Sequence, residues 1–372
     1  MPVNASHPLS AMAVPLLSRA DRLDDIAEKV WAGERLTFDD GLRLFESDDL
    51  LTLGMLANIV RQRWHPNRIV TFNIGRNINY TNVCWVRCKF CAFYRVPGHD
   101  EGYVLPTEVI LAKCQELLDL GGKEILIQGG LNPKLKIDYF ENLFRTIKQT
   151  YPTIDIHGLS SAEINYIAHI SRLSLEECLV RLRNAGLDTI PGAGEMLVDE
   201  VRERIAPLKE KTDAWIHLMR TAHRLGIRSS ATMVYGWGES YAQRLEHMLR
   251  VRELQDETGG FTAWISWSFQ PDGTELGGKK ASGWDYLKNT AVSRLILDNI
   301  PNLQASWVTQ GPKIAQIALD YGLNDFGSTM LEENVVRPTG TNFLMPIEEI
   351  RRLIREAGYE PKVRDTLYRI LE

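Results

Sequence analysis

The 372-residue sequence has no run of about 18 or more apolar residues, which excludes a transmembrane helix. It has no excess of basic charge. Forty-three Lys plus Arg against 48 Asp plus Glu give a net charge of -5, which offers no electrostatic footprint for nucleic acid. Low-complexity tracts and short repeats are missing. The N-terminal residues have no basic start of a secretory signal, and their short apolar patch is broken by Pro15. A cytoplasmic location is therefore expected. Cysteine is scarce and odd in number: Cys84, Cys88, Cys91, Cys114 and Cys178. That set cannot be a full disulfide framework, and its tight triplet fits metal or cluster ligation in a reducing compartment.

What is present is an ordinary globular composition, 44% hydrophobic and 24% charged, at a length that suits two domains or one α/β barrel. Residues 1–66 read as an N-terminal helical extension, with apolar residues at helical spacing over Leu36–Glu46 and Asp48–Arg63. Eight β-rich runs then alternate with amphipathic stretches. They are Ile69–Ile74, Glu124–Gln128, Asp155–Leu159, Leu187–Ile190, Arg228–Tyr235, Phe261–Phe269, Leu303–Val308 and Asp325–Met330. Eight such units predict an α/β fold, a (β/α)8 TIM-type barrel over residues 67–345, with an open doubly wound sheet as the alternative. Residues 346–372 read as C-terminal helices packed on the barrel. Chemistry is expected where the strands end.

The first strand leads into Asn79-Tyr80-Thr81-Asn82-Val83-Cys84-Trp85-Val86-Arg87-Cys88-Lys89-Phe90-Cys91. The spacing C-x3-C-x2-C suits one iron–sulfur cube held through three irons, leaving the fourth open. Zinc is the alternative, with His99 the only nearby fourth ligand. Cys114 and Cys178 sit among leucines at helical spacing and read as inert core residues. The second strand ends in Gln128-Gly129-Gly130, where backbone can approach a ligand closely. Ser160 follows the third strand and Glu195 the fourth, with Asp188 the competing carboxylate. Ser229, Ser230 and Thr232 of the fifth run, and alternate residues from Trp264 to Phe269, are candidate cavity walls.

The cysteine segment resembles the radical S-adenosylmethionine (SAM) superfamily. The resemblance implies a 4Fe–4S cluster on Cys84, Cys88 and Cys91 whose open iron chelates SAM, and a 5′-deoxyadenosyl radical as the reactive species. It puts Phe90 near the adenine, Gly129 and Gly130 at the amino end of SAM and Glu195 at its ribose. Tyr94, Gln128 and Ser160 are counted with the same cofactor site. No residue is assigned as the catalytic base. Arg76-Asn77-Ile78, Cys91-Ala92-Phe93-Tyr94-Arg95, Gly98-His99-Asp100-Glu101-Gly102-Tyr103, Ser268-Phe269-Gln270-Pro271 and Gln304-Ala305-Ser306-Trp307 narrow it. From about Glu34 onward the chain is similar to the cyclic dehypoxanthine futalosine synthase family. That family abstracts hydrogen from C4′ of dehypoxanthine futalosine and cyclises it onto the benzoate ring, in menaquinone biosynthesis. An external electron donor such as flavodoxin or ferredoxin is implied, and neither nucleic acid nor membrane. Arg76 and Arg228 are candidate partners of the benzoate carboxylate. Pro191-Gly192-Ala193-Gly194-Glu195 departs from the expected pattern by one residue before the carboxylate. The alternatives are aminofutalosine synthase, its sister in the pathway, and a non-enzymatic iron–sulfur or zinc scaffold.

Overall fold

The computed structural model describes residues 23–332, 334–335, 337–340 and 345–371. The N-terminal stretch read as a cytoplasmic start, residues 1–22, lies outside them.

Ten strands form one sheet: β1 (Ile69–Asn73), β2 (Gly75–Ile78), β3 (Glu124–Ile127), β4 (Asp155–Gly158), β5 (Thr189–Ile190), β6 (Arg228–Tyr235), β7 (Phe261–Ser268), β8 (Asn302–Gln304), β9 (Asp325–Ser328) and β10 (Glu360–Val363). Their order is β10-β1-β9-β8-β7-β6-β5-β4-β3-β2, and the paired strands run parallel. Strands β1 and β2 are one stretch of chain kinked at Ile74. The first half pairs with β9 and the second with β3, so the chain itself closes the ring. The amides of Thr329 and Leu331 carry the seam onward to the carbonyls of Asn73 and Gly75. The result is a parallel (β/α) barrel, the α/β fold that the sequence predicts. Parallel strands covered by helices are buried on both faces, as the largely buried β1 and β6 show.

Two local expectations fail. Trp307 and Val308 continue no strand but open a short helix, Trp307–Gln310. The C-terminal residues form one helix, Ile347–Glu356, and then β10 rather than further helix. Gly358, at φ +81°, ends the helix, and Pro361 has no amide to donate to another turn. The next residues alternate exposed and buried and pair with β1 from Ile69 to Phe72.

The tail then plugs the barrel floor. The Arg364 guanidinium meets both Asp325 oxygens at 2.6 and 3.1 Å and lies 3.8 Å from the Tyr368 ring centre. At the N-terminal side, the helices Asp24–Ala32, Phe38–Glu46 and Leu50–Trp64 lie outside the barrel. Thr37 and Asp40 form a capping box at the second. Buried Arg61 ties the third to the barrel by donating to the carbonyls of Leu323 and Ile69.

Candidate active site

The cysteines occupy a loop that follows β2 at the C-terminal mouth of the barrel. The loop has little secondary structure, so hydrogen bonds elsewhere fix its path. Cys84 N–H donates to Arg95 C=O and Arg95 N–H to Asn82 C=O, each at 2.8 Å. Lys89 N–H donates to Ile205 C=O and its carbonyl accepts from Leu276. Cys84 is buried, and Cys88 and Cys91 are half-buried. Burial pushes the Cys88 thiol up to about 12, against the pull of the Lys209 ammonium and reinforced by its neighbours Cys91, Glu195 and Cys84. Burial also raises Cys91, opposed by the backbone amides of Phe93 and Tyr94. Tyr94 thus serves the loop through its amide. Its side chain is outside the cavity lining. Cys114 and Cys178 are fully buried in helices, as the sequence predicts.

The Gly129–Gly130 turn lies directly beneath the loop. A Cβ at Gly129 would meet the Tyr80 ring at 2.8 Å; one at Gly130 would meet Val83 C=O at 2.3 Å and Cys84 Cβ at 2.8 Å. A buried carboxylate that sequence reasoning missed holds this arrangement. Glu163 Oε1 accepts from Tyr80 O–H at 2.7 Å and Gly129 N–H at 2.9 Å. Its Oε2 accepts from Ser160 N–H at 2.7 Å and Ser160 O–H at 2.6 Å. Burial raises the Glu163 carboxyl, and these four donors oppose the rise. Ser160 is therefore occupied as the cap of helix Ser161–Ser171 and does not line the cavity. The signal was the capping pattern Ser160-x-x-Glu163.

A cavity of about 370 Å³ opens below the loop inside the barrel. Phe90, Cys91, Gln128 and Glu195 line its upper part. Phe90 packs on Trp237 with ring centres 5.2 Å apart, and Trp237 on Phe269 at 4.6 Å. Trp237 was not singled out from the sequence. Ile265 and Trp267 of β7 face the cavity, whereas Trp264 packs outward against His247. This is the alternation a strand imposes. Ser230 and Thr232 line the wall, but Ser229 bonds His223 outside it.

The charged candidates divide. Glu195 lies at the cavity, paired with Lys209 at 2.5 Å and 3.8 Å from Arg202. Burial acts against the Lys209 charge, yet Glu195 and then Cys88 hold its pKa above the ordinary lysine range. Asp188 is elsewhere, bonded to Lys148 and the Ile156 amide. Arg76 lines the cavity, paired with Glu332 at 3.0 Å. Arg228 stands at the opposite, N-terminal end of β6, donating to Gly259 C=O. Arg364, the cation the sequence did not mark, reaches the cavity from the C-terminal tail. His99 is exposed and accepts the Glu101 amide.

Gly130→Val should disturb more than a ligand pocket. Its branched side chain meets backbone at the cluster loop, so iron content and SAM affinity should fall together. Iron analysis and equilibrium binding on the purified variant measure both. Full iron with unchanged affinity would show that the contact is slack.

The site fits an iron–sulfur cofactor by its donors: three soft sulfurs on one pinned loop, beside buried Lys209. It also fits a polar ligand, because buried Asn79 Oδ1 at the cavity has no hydrogen-bond partner among the described residues. The sequence matches the radical SAM superfamily over residues 78–251 and the CofH/MqnC C-terminal region over residues 258–372. It is 52% identical to the cyclic dehypoxanthine futalosine synthase of Halalkalibacterium halodurans, over 94% of this chain and 95% of that one. The same enzyme of Streptomyces coelicolor is 42% identical over 95% and 90%. The aminodeoxyfutalosine synthase of Thermus thermophilus is 42% identical over 94% and 96%. Among solved structures, methylornithine synthase shares the fold with a TM-score of 0.73 at 19% identity, covering 90% of this chain and 97% of its own. These findings and the barrel with its cysteine loop agree: the chain belongs to the radical SAM superfamily and, within it, to the cyclic dehypoxanthine futalosine synthase family.

Proposed function

We propose that this protein converts dehypoxanthine futalosine to its cyclic form, with Cys84, Cys88 and Cys91 holding the 4Fe–4S cluster. The observation that carries this reading is the cavity directly beneath the cysteine loop, walled by Phe90, Trp237, Phe269 and Trp267. Reductive cleavage of SAM supplies a 5′-deoxyadenosyl radical there, with the electron drawn from a small carrier such as flavodoxin or ferredoxin. The chain's own work is to hold and to exclude. Gly129 and Gly130 let the cysteine loop pack closely over the turn that would carry the methionine portion, and Glu195, held by Lys209, faces the ribose. The aromatic walls would keep water away and orient the substrate C4′ for hydrogen transfer. The C4′ hydrogen is lost, C4′ bonds to the benzoate ring, and departure of one electron and one proton restores aromaticity.

Deuterium at C4′ of dehypoxanthine futalosine should therefore appear in 5′-deoxyadenosine, measured by mass spectrometry after anaerobic turnover. A sister synthase would instead retain the adenosyl carbons in its main product. Unlabelled 5′-deoxyadenosine, or adenosine carbon in the product, would overturn the cyclase reading.

A further inference from the structure

Resting on that cyclase reading, we propose that His157 is the base that takes the ring proton when the benzoate ring rearomatises. Among the described residues, six ionisable side chains line the cavity: Arg76, Cys91, Glu124, His157, Glu195 and Arg364. The two arginines are cations engaged by carboxylates, Glu195 is engaged by Lys209, and Cys91 belongs to the cluster loop. Only Glu124 and His157 remain as acceptors among the described residues.

His157 is built for the task. It is on β4, and its Nδ1 lies 2.7 Å from Thr189 Oγ1 on β5. We assign the tautomer in which Nδ1–H donates to that oxygen and the lone pair is on Nε2. Nδ1 is the ring nitrogen that forms a hydrogen bond among the described residues, and the ring borders the cavity. Height also separates the two acceptors. Glu124 is in register with Asp155, and His157 with Leu126. His157 thus stands two residues, roughly 7 Å, nearer the cysteine loop than Glu124. Burial lowers the His157 pKa, with Glu124 opposing and Arg364 reinforcing the shift. The imidazole is consequently neutral, and able to accept a proton, at neutral pH.

The step balances. The C–H bond at the attacked ring carbon breaks, its proton passes to Nε2 and its electron pair joins the ring π system. One electron leaves to an oxidised iron–sulfur cluster, the acceptor class this proposal requires. Imidazolium then returns its proton to water.

The test is anaerobic single turnover with C4′-deuterated dehypoxanthine futalosine, scoring labelled 5′-deoxyadenosine and cyclised product separately. In His157→Gln, the label should still reach 5′-deoxyadenosine, which also reports a folded, loaded protein. Product per 5′-deoxyadenosine should fall by about a hundredfold. In the wild type that ratio should decline only in acid, below the ordinary histidine range; in His157→Gln it should show no such decline. An unchanged ratio in His157→Gln overturns the assignment. So does equal loss of both products there, the mark of a binding or folding role, or the hundredfold fall appearing in Glu124→Gln instead. If wild-type protein transfers no C4′ deuterium, the cyclase reading fails first and the base assignment falls with it.

Discussion

A Cys88→Ala protein should purify without its iron–sulfur absorbance and cleave no SAM, whereas Cys114→Ser and Cys178→Ser should keep both. The expectation follows from geometry and chemistry together. Cys88 is on the pinned loop, in the field of Lys209, Cys84 and Cys91. A buried thiol pushed up to about 12 is mostly protonated at neutral pH, so metal must displace its proton, and only a clustered set repays that cost. Cys114 and Cys178 are fully buried in separate helices, Thr107–Asp119 and Leu175–Ala185. A serine there loses roughly 1–3 kcal/mol for a hydroxyl in an apolar site, without touching the loop. Anaerobic iron analysis with SAM-cleavage assays decides. Normal iron in Cys88→Ala together with loss in Cys114→Ser would reverse the assignment.

The parts of the site legible in the sequence are those written over short separations. The cysteine triplet spans eight residues, and Gly129-Gly130 follows a strand whose apolar run marks its own end. Their relation in space was not legible as contact: Gly130 meets Val83 and Cys84 only after the barrel brings successive strands together. Glu163 stayed hidden for the same reason, since its bond to Tyr80 spans 83 residues. Arg228 was misplaced because strand direction, not proximity to a strand, decides which end of the barrel a residue reaches. The tail was misread because a four-residue strand holding Pro361 has too few positions to show its period. What selects the strand is pairing with β1, a contact some 290 residues away along the chain.

Breaking the floor pair should cost the fold far more than any surface ion pair. Asp325 is fully buried and Arg364 nearly so. The Asp325 carboxylate also accepts from Thr71 O–H at 2.7 Å and Gly327 N–H at 2.9 Å. Arg364→Met leaves that carboxylate buried without its cation, and Asp325→Asn strands the guanidinium. Either change should destabilise the protein by about 3–5 kcal/mol. Arg352, which pairs with Glu349 and Glu356 in solvent, is the control, and Arg352→Ala should change little. The double variant Asp325→Asn with Arg364→Met removes both charges, and the asparagine oxygen can still accept from Gly327 N–H while its NH2 donates to Thr71 Oγ1. Its loss should therefore be well below the sum of the two single losses. Urea unfolding of the four proteins measures the coupling. Because Arg364 is beyond β10 while Asp325 begins β9, the pair ties the C-terminal tail to the barrel wall. A strictly additive result would mean that the tail is held by β10 pairing alone and that the floor ion pair contributes nothing to closure.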